Sequence, residues 1–502
     1  GAAHTITNGI DLSGEGGLVW IKNRQLSGGL NHSLYDTERG VLRQLVSNST
    51  SGQGGASGND LDGFNSDGFS LGTDTYSIVN ADGYDYASWT FRKAPGFFDI
   101  VTYTGNSSNR TIAHNLGSVP GMIIVKQYDA TRQWFVYHRS LGATYSINLD
   151  SNAGKQLGST IWNNTEPTAT HFSLGTSAGV NNNNNQYIAY IFAHDDQSFG
   201  TNSDEAIVKC GSYTGNGSSD GPEVNLGFEP QFILHKRTGN ADNWAIFDNM
   251  RGFPKNEALF PDTSDAEVGF GDTMIRHTST GFKITTTNSF FNSNNETYIY
   301  MAIRRPHKPP TAGTDVFKAV QTTSQPFSVG FPTDLNINAM TGAGNASKYW
   351  VPRLTNNYMQ SNNNLSESSG SADFKFDLQN SFSTGSFWGS TQTINWQFRR
   401  APGFFDVVAY AGNGADNHQI THNLGVVPEF ALFKKRTNND SWVHFHDMNA
   451  STYFYSFFNT GPGTAQSYGS GYRMFAQPNA TTLFLSDYAT MNESSQDYIC
   501  YL

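Results

Sequence analysis

The chain has 502 residues, too many for one ordinary core and enough for roughly three to five domains. Aromatics make up 14%, charged residues only 15%, and glycines number 51, a mix that suits short strands and tight turns and lacks the long amphipathic runs of helices. The formal charge of −11 argues against nucleic-acid binding, no apolar run is long enough for membrane insertion, and two cysteines, Cys210 and Cys500, are too few for a disulfide scaffold of this size.

Along the chain one pattern returns. The first copy opens at "GAAHTITNGIDL", continues with "GLVWIKNR" from Gly17 and "NHSLYDT", and ends on "DYASWTF", which holds Tyr86. "FRKAPGFFDIVTYTGN" follows from Phe91. The second copy runs through "TIAHNLGSVPGMIIVKQ", the tryptophan strand "QWFVYHR" at Trp134, and "QYIAYIF" at Tyr187. The third has "SYTGNG", "EVNLGFEPQFILHKR", Trp244 and Tyr298. A degenerate fourth passes through "SVGFPTDLNINAM" and "KYWVPRL", aligning Trp350 with the tryptophans and Ile394 with the closing tyrosines. The fifth begins at Phe398 with "FRRAPGFFDVVAYAGN", 307 residues after its twin, and reaches Trp442 and Tyr498. Asn115 to Trp134, Asn225 to Trp244 and Asn423 to Trp442 each span 19 residues.

The expected fold is therefore all-β, a tandem array of about five small antiparallel β-sandwich units. The expected boundaries are 1–94, 95–194, 195–306, 307–401 and 402–502. "GAAHTITNGIDL" corresponds to "GNSSNRTIAHNL", so the first unit lacks its "FFDIVTYT" strand. That strand is expected upstream or from another chain, which makes these residues part of a larger protein. The recurring tryptophans are expected in the core, and "APGFF" is expected to turn the chain from one unit to the next.

Chemical motifs are sparse. His444, His446 and Asp447 in "VHFHD" could meet a cation but read better as a polar strand end. Asp60, Asp62 and Asp67 lie in a segment without the order of an EF-hand, and a turn explains them. There is no G-x-S-x-G, phosphate loop or H-E-x-x-H. Asp99 and Asp406 recur in the twin phrases, but the third copy has no acid there. We expect no catalytic residue, no metal site, no cofactor and no enzymatic activity. Copy-to-copy variation collects in polar loops. Asn181, Asn182, Asn183, Asn184 and Asn185, with Asn362, Asn363 and Asn364, are the candidate binding residues, with plain solvated loops as the other reading.

Taken together, "GLVWIKNR…NHSLYDTERG…FNSDGFSLGT…YASWTFRKAPGFFDIVTYTGN…HNLGSVPGMIIVK…NWAIFD" resembles a tandem repeat domain of unknown function found in virion proteins of tailed phages, especially those of marine bacteria and cyanobacteria. The resemblance implies a virion structural protein, a tail fibre or tail-associated appendage for host recognition. A head decoration or capsid fibre, a polysaccharide-degrading tailspike and a bacterial cell-surface adhesin are the alternatives. The implied partners are other virion proteins and host surface glycans or an envelope protein. The implied assembly is a homo-oligomer, a trimer by preference, located in the phage particle.

Overall fold

The computed structural model describes residues 1–502 apart from 26–29, 55–59, 74–77, 201, 252–256, 271–273, 342–346, 369–373, 388–390, 459–462 and 470–473. The chain is all-β, and its described α-helices are single four-residue turns. It divides into two compact units, Gly1–Arg276 with Phe282–Arg305, and His277–Gly281 with Pro306–Leu502.

In the first unit, repeat 1 holds β1 (His4–Thr7), α1 (Leu12–Glu15), β2 (Gly17–Asn23), β3 (Ser33–Asp36), β4 (Leu61–Asn65), β5 (Gly68–Leu71) and β6 (Tyr86–Arg92). Its antiparallel sheets are ordered β3-β2-β6 and β1-β5-β4. Repeat 2 holds β7 (Phe98–Thr104), β8 (Arg110–Ala113), β9 (Pro120–Gln127), β10 (Trp134–His138), β11 (Tyr145–Asn148), β12 (Gln156–Leu157), β13 (His171–Leu174), α2 (Ala178–Asn181) and β14 (Gln186–Ala193). Its long sheet runs β12-β11-β10-β9-β14-β7, with β13-β8 as the small partner.

Repeat 3 has β15 (Val208–Thr214), β16 (Glu223–Asn225), β17 (Pro230–Arg237), β18 (Ala245–Asp248), β19 (Glu257–Ala258), β20 (Val268–Gly269), β21 (Ile275–Thr278), β22 (Gly281–Ile284), α3 (Ser289–Asn292) and β23 (Thr297–Arg304). Its sheets are β15-β23-β17-β18 and β16-β22-β21, with the β19-β20 pair. A shared plan emerges. In repeats 2 and 3 the first strand pairs with the last, the last with the proline-entry strand, and that with the tryptophan strand.

In the second unit, repeat 4 has β24 (Phe317–Thr322), β25 (Phe327–Ser328), β26 (Leu335–Met340), β27 (Lys348–Pro352), β28 (Met359–Gln360), β29 (Ser381–Phe382) and β30 (Thr393–Phe398). Repeat 5 has β31 (Val407–Ala411), β32 (His418–Thr421), β33 (Phe430–Lys435), β34 (Val443–His446), β35 (Thr452–Phe457), β36 (Thr464–Ser467), β37 (Met474–Ala476), β38 (Thr482–Leu485), α4 (Ala489–Asn492) and β39 (Asp497–Tyr501). Their long sheets are β24-β30-β26-β27-β28 and β31-β39-β33-β34-β35-β36.

The duplicated phrase is a turn. Ala94 and Phe98 exchange two backbone hydrogen bonds, at 2.9 and 3.1 Å, around Gly96 at φ +72°. Ala401 and Phe405 do the same at 3.0 and 3.2 Å around Gly403 at φ +70°. A left-handed residue is needed at that corner, and glycine supplies it without a Cβ penalty. The acid shared by the two phrases then fastens the next loop. Asp99 accepts the Asn115 N–H and Asp406 the Asn423 N–H, both at 2.7 Å.

All eight residues of β9, "PGMIIVKQ", are buried. A continuous apolar run marks a strand covered on both faces. One face packs within its own repeat, where Tyr103 stacks on Tyr187. The other meets the preceding repeat. Trp134 donates its indole N–H to Val46 O at 3.0 Å and Ser49 O at 3.1 Å, and Lys126 donates to Thr50 O at 2.8 Å and also to Arg132 O. Repeat 3 joins repeat 2 in the same way. Trp244 donates to Asn148 O at 2.8 Å, and Lys236 donates to Asn152 O at 2.8 Å and also to Asp242 O. Inside the second unit, Trp442 donates to Gln360 O at 3.0 Å, and Lys434 to Asn364 O at 3.3 Å and Asp440 O at 2.9 Å. Burial draws all three lysines down to about 8.

Repeat 1 also touches repeat 3. Trp89 donates to Asp248 at 3.1 Å, Arg24 pairs with Glu267 at 2.6 Å, and Ser47 donates to Pro261 O at 2.7 Å. One hydrophobic cluster accordingly contains Trp20 and Phe91, Trp134 and Ile124, and Phe232 and Met301. The three repeats close on a common core.

Two alignments in repeat 4 need correction. Phe398 pairs with Leu335 as Phe91 pairs with Leu18, which puts Thr393 rather than Ile394 at the closing-tyrosine place of Tyr86. Counting along the same rungs puts Lys348, opposite Ala339, at the tryptophan position. Trp350 lies two residues further on and packs on Trp442 at 5.5 Å. The one-residue slip at Ile394 matters because it moves a side chain to the other face of the sheet.

Two outcomes follow. Trp244→Phe keeps the ring but loses its bond to Asn148 O and should cost about 1–2 kcal/mol, while Trp244→Ala should cost about 3–5 kcal/mol, in urea unfolding of the full chain. The second concerns acid. Burial, the larger effect, lowers His138 to about 4 and His235 to about 3. Both imidazoles are neutral in the fold and protonate in the unfolded chain near 6.5. Their stabilisation is complete above that value and is lost as pH falls toward 4, on the order of 3 kcal/mol for each. Thermal melts between pH 7 and 4 should show the decline, and His138→Gln should flatten it.

Candidate functional site

The asparagine loop of repeat 2 is built on α2. Asn181 is fully buried and is a hub. Its Nδ2 donates to Ser108 O at 2.7 Å and Gly175 O at 2.9 Å, and its Oδ1 accepts the Asn106 N–H at 2.9 Å. Asn292 and Asn492 make the corresponding bonds, to Ser218 O and Thr286 O and to Ala415 O and Ser486 O. Asn181 is therefore a structural residue, set apart from its neighbours. The signal was in the sequence, because each of these loops begins with an apolar residue followed by asparagine.

The next four residues form the tip. Asn183 and Asn184 are exposed, and Asn184 has φ +62°. Asn182 donates to Asn185 Oδ1 at 2.6 Å, and Asn185 reaches Asp129 at 3.3 Å. The counterpart in repeat 3 gathers Asn240 and Glu296 at 2.9 Å, with Arg237 at 3.5 Å from Glu296. In repeat 5, Lys435 sits 2.7 Å from Glu493 and 2.9 Å from Asp440. Burial opposes its charge, but the two carboxylates hold the ammonium above its ordinary pKa. Each tip thus offers amide and carboxylate groups on a rigid hairpin, a set that can hydrogen-bond hydroxyl-rich surfaces.

Asn362, Asn363 and Asn364 do not join that set. They follow β28 in the joint between repeats 4 and 5. Asn364 O accepts from Lys434 and, at 2.8 Å, from the Asp440 N–H. Asn363 donates to Gln360 and accepts the Leu365 N–H at 3.0 Å. The side chains of Asn362 and Asn364 are exposed, but the backbone place of Asn364 matches Thr50 and Asn152, the other lysine acceptors. Sequence reasoning passed over Lys126, Lys236 and Lys434. A lysine ending an apolar strand in three copies was the available sign.

The titratable groups elsewhere serve the fold. Burial lifts Asp262 to about 7, and it accepts the Trp244 N–H at 3.0 Å as Asp150 accepts that of Trp134. His446 lies 3.1 Å from Asp447. Asp60 accepts the Tyr35 hydroxyl at 3.1 Å. Among the described residues, no three His, Cys, Asp or Glu side chains are grouped to hold a metal ion.

The chain belongs to the family described as "Domain of unknown function (DUF7483)", which matches residues 1–306 and 384–502. The stretch left out covers most of repeat 4. No curated protein matches the chain.

The hub and the tip should separate under mutation. Asn181→Ala strands three backbone groups and should cost about 2–3 kcal/mol. Asn183→Ala, exposed at the tip, should stay within about 0.5 kcal/mol of the parent. Denaturant midpoints of the two variants check this.

Proposed function

We propose that the chain is a structural and adhesion protein of a tailed-phage particle, a tail fibre or tail-associated appendage that acts without catalysis. The reading rests on one observation. The polar groups that recur between copies are spent on backbone bonds: Lys126 and Trp134 with their counterparts join one repeat to another, and Asn181, Asp99 and Asp406 fasten loops within their own. What is left for a partner is the set of tips, Asn182–Asn185 and the hairpins around Glu296 and Glu493. Loops on a rigid scaffold carry recognition, and several weak contacts on an oligomer gain by avidity. The likeness of the repeated phrases to virion proteins of tailed phages supports the same reading. The partners are other virion proteins and a host surface glycan or envelope protein, and the assembly is a homotrimer.

Antibodies raised against the purified chain should label phage particles on the tail in electron micrographs. Labelling only of uninfected cell envelopes would replace this reading with a cell-surface adhesin. Alanine at Asn183 and Asn184, combined with alanine at Asn294, Asn295, Ser494 and Ser495, should reduce host adsorption by at least about tenfold through lost avidity. Unchanged adsorption would assign attachment to another protein. Incubation with host envelope glycans should release no new reducing ends.

A further inference from the structure

The interior of repeat 4 is lined by amides. Asn336 and Asn338 on β26 lie opposite Gln397 and Asn395 on β30, and all four side chains are fully buried. They share the face of Val351, the partner of Asn336, and of Val320, the partner of Asn395. Both valines pack with Phe327, Phe374, Phe376 and Phe382. Gln397 donates to Asn336 at 2.6 Å and Asn395 to Thr393 at 2.9 Å. Among the described residues, five polar atoms of these amides then find no partner. Two are donors, Nδ2 of Asn336 and of Asn338, and three are acceptors, the side-chain oxygens of Asn338, Asn395 and Gln397. In repeat 2 the same four places hold Ile123, Val125, Ala189 and Ile191.

The end of this row also departs from the other repeats. Tyr103, Tyr213 and Tyr410 pair with Tyr187, Tyr298 and Tyr498, and each pair stacks, at 5.2, 5.0 and 5.3 Å. In repeat 4 that pair is Thr322 and Thr393. The hub asparagine, which precedes the closing tyrosine by six residues, is replaced by Phe387. Phe387 packs with Tyr349, Tyr358 and Phe374 at 5.5, 5.3 and 5.0 Å. Two stacked phenols have thus given way to two threonines. Solvent reaches the row at Thr322 and at Met340, the partner of Thr393, both half-buried.

The unmet atoms select the ligand. A cation would leave the amide N–H groups unmet, an anion the amide oxygens, and an apolar guest all five. A hydroxyl both donates and accepts, so it meets either kind. Aromatic walls with a few placed polar groups suit the C–H faces of a ring. We propose that the interior of repeat 4 is a binding site for one neutral sugar residue, entered past Thr322 and Met340. Its hydroxyls bond Asn336, Asn338, Asn395 and Gln397, and its C–H faces lie on the phenyl rings. Water meets the amides in the free protein and is displaced. This site is additional to the tips. It narrows the glycan partner proposed above and rests on that reading only for its use by the particle. The two fail separately, because labelling of the tail does not depend on a bound sugar.

The test uses the full chain with D-glucose, D-galactose, D-mannose and N-acetyl-D-glucosamine, read by saturation-transfer NMR. At least one should show saturable transfer to its ring C–H protons, with a Kd on the order of 1 mM. Asn338→Leu combined with Asn395→Val restores an apolar pair. It should weaken binding at least about tenfold while the thermal midpoint holds or rises. Thr322→Tyr returns a phenol to the end of the row and should weaken binding by a similar factor. If the double variant does not fold, Thr322→Tyr alone decides. The proposal is overturned by the absence of saturable transfer from all four sugars, or by binding that survives these substitutions. It is equally overturned by sugar-soaked crystals in which only water meets the four amides.

Discussion

The central strands β2, β9, β17 and β33 are buried along nearly their whole length on both faces, and much of the structure follows from that. A strand such as β9 then has no solvent face on which to place its polar end. Lys126 must lie inside, and a buried charge is costly unless it is bonded. The Thr50 and Arg132 carbonyls answer that cost, one from the neighbouring repeat and one from its own. Burial pulls the ammonium toward about 8, while the Asp150 carboxylate favours its charged form. The indole N–H of Trp134 has the same need and takes its acceptors four residues and one residue earlier, at Val46 and Ser49. Two donors on one repeat, facing the carbonyls of Val46, Ser49 and Thr50 on the preceding one, set a register. Apolar contact alone would let the sheets slide.

Where the pair is altered, the joint changes character. Repeat 1 has His32 at the tryptophan place, and Trp20 donates to it at 2.9 Å. Lys22 bonds its own neighbour's carbonyl, Asn23 O, at 2.8 Å. Contact with repeat 3 then runs through charges. Arg24 meets Glu267, and Arg251 lies 2.9 Å from Asp248 and 3.4 Å from Glu267, with its guanidinium over the Trp89 ring at 5.4 Å. These groups are largely buried, so salt screens them less than it would a surface pair. Closure of three repeats thus uses two joints of one kind and one of another.

Strand type, the repeat and the corner at "APGFF" were legible because each depends on local chemistry: β-branched and aromatic runs, turn residues, a glycine at positive φ. The partners of the repeats were not, since Trp134 and Val46 are 88 residues apart and nothing local couples them. The tip loop was half legible. Variation marked Asn182–Asn185 as loop, but it also drew in Asn181, whose recurrence with Asn292 and Asn492 marks the core. Asn362–Asn364 looked the same by composition, and only the lysine bond distinguishes them. In repeat 4 the misplaced Ile394 and Trp350 came from matching residue type where strand register decides.

Repeat 4 shows what happens when the plan is kept and its chemistry is not. Where repeat 2 sets Ile123 against Ile191 and Val125 against Ala189, repeat 4 sets Asn336 against Gln397 and Asn338 against Asn395, all four fully buried. Gln397 donates to Asn336 at 2.6 Å and Asn395 to Thr393 at 2.9 Å. Among the described residues, both polar atoms of Asn338, Nδ2 of Asn336, Oδ1 of Asn395 and Oε1 of Gln397 find no hydrogen-bond partner. Such groups are met in folded proteins by interior water, and each unmet one costs about 1–3 kcal/mol. Its outer face still presents Leu335, Ile337 and Trp350 to repeat 5, in one cluster with Leu432, Trp442 and Tyr501. The apolar part of the joining face is thus kept while the interior has become polar, although Ala339 and Lys348 stand where repeat 2 has Lys126 and Trp134.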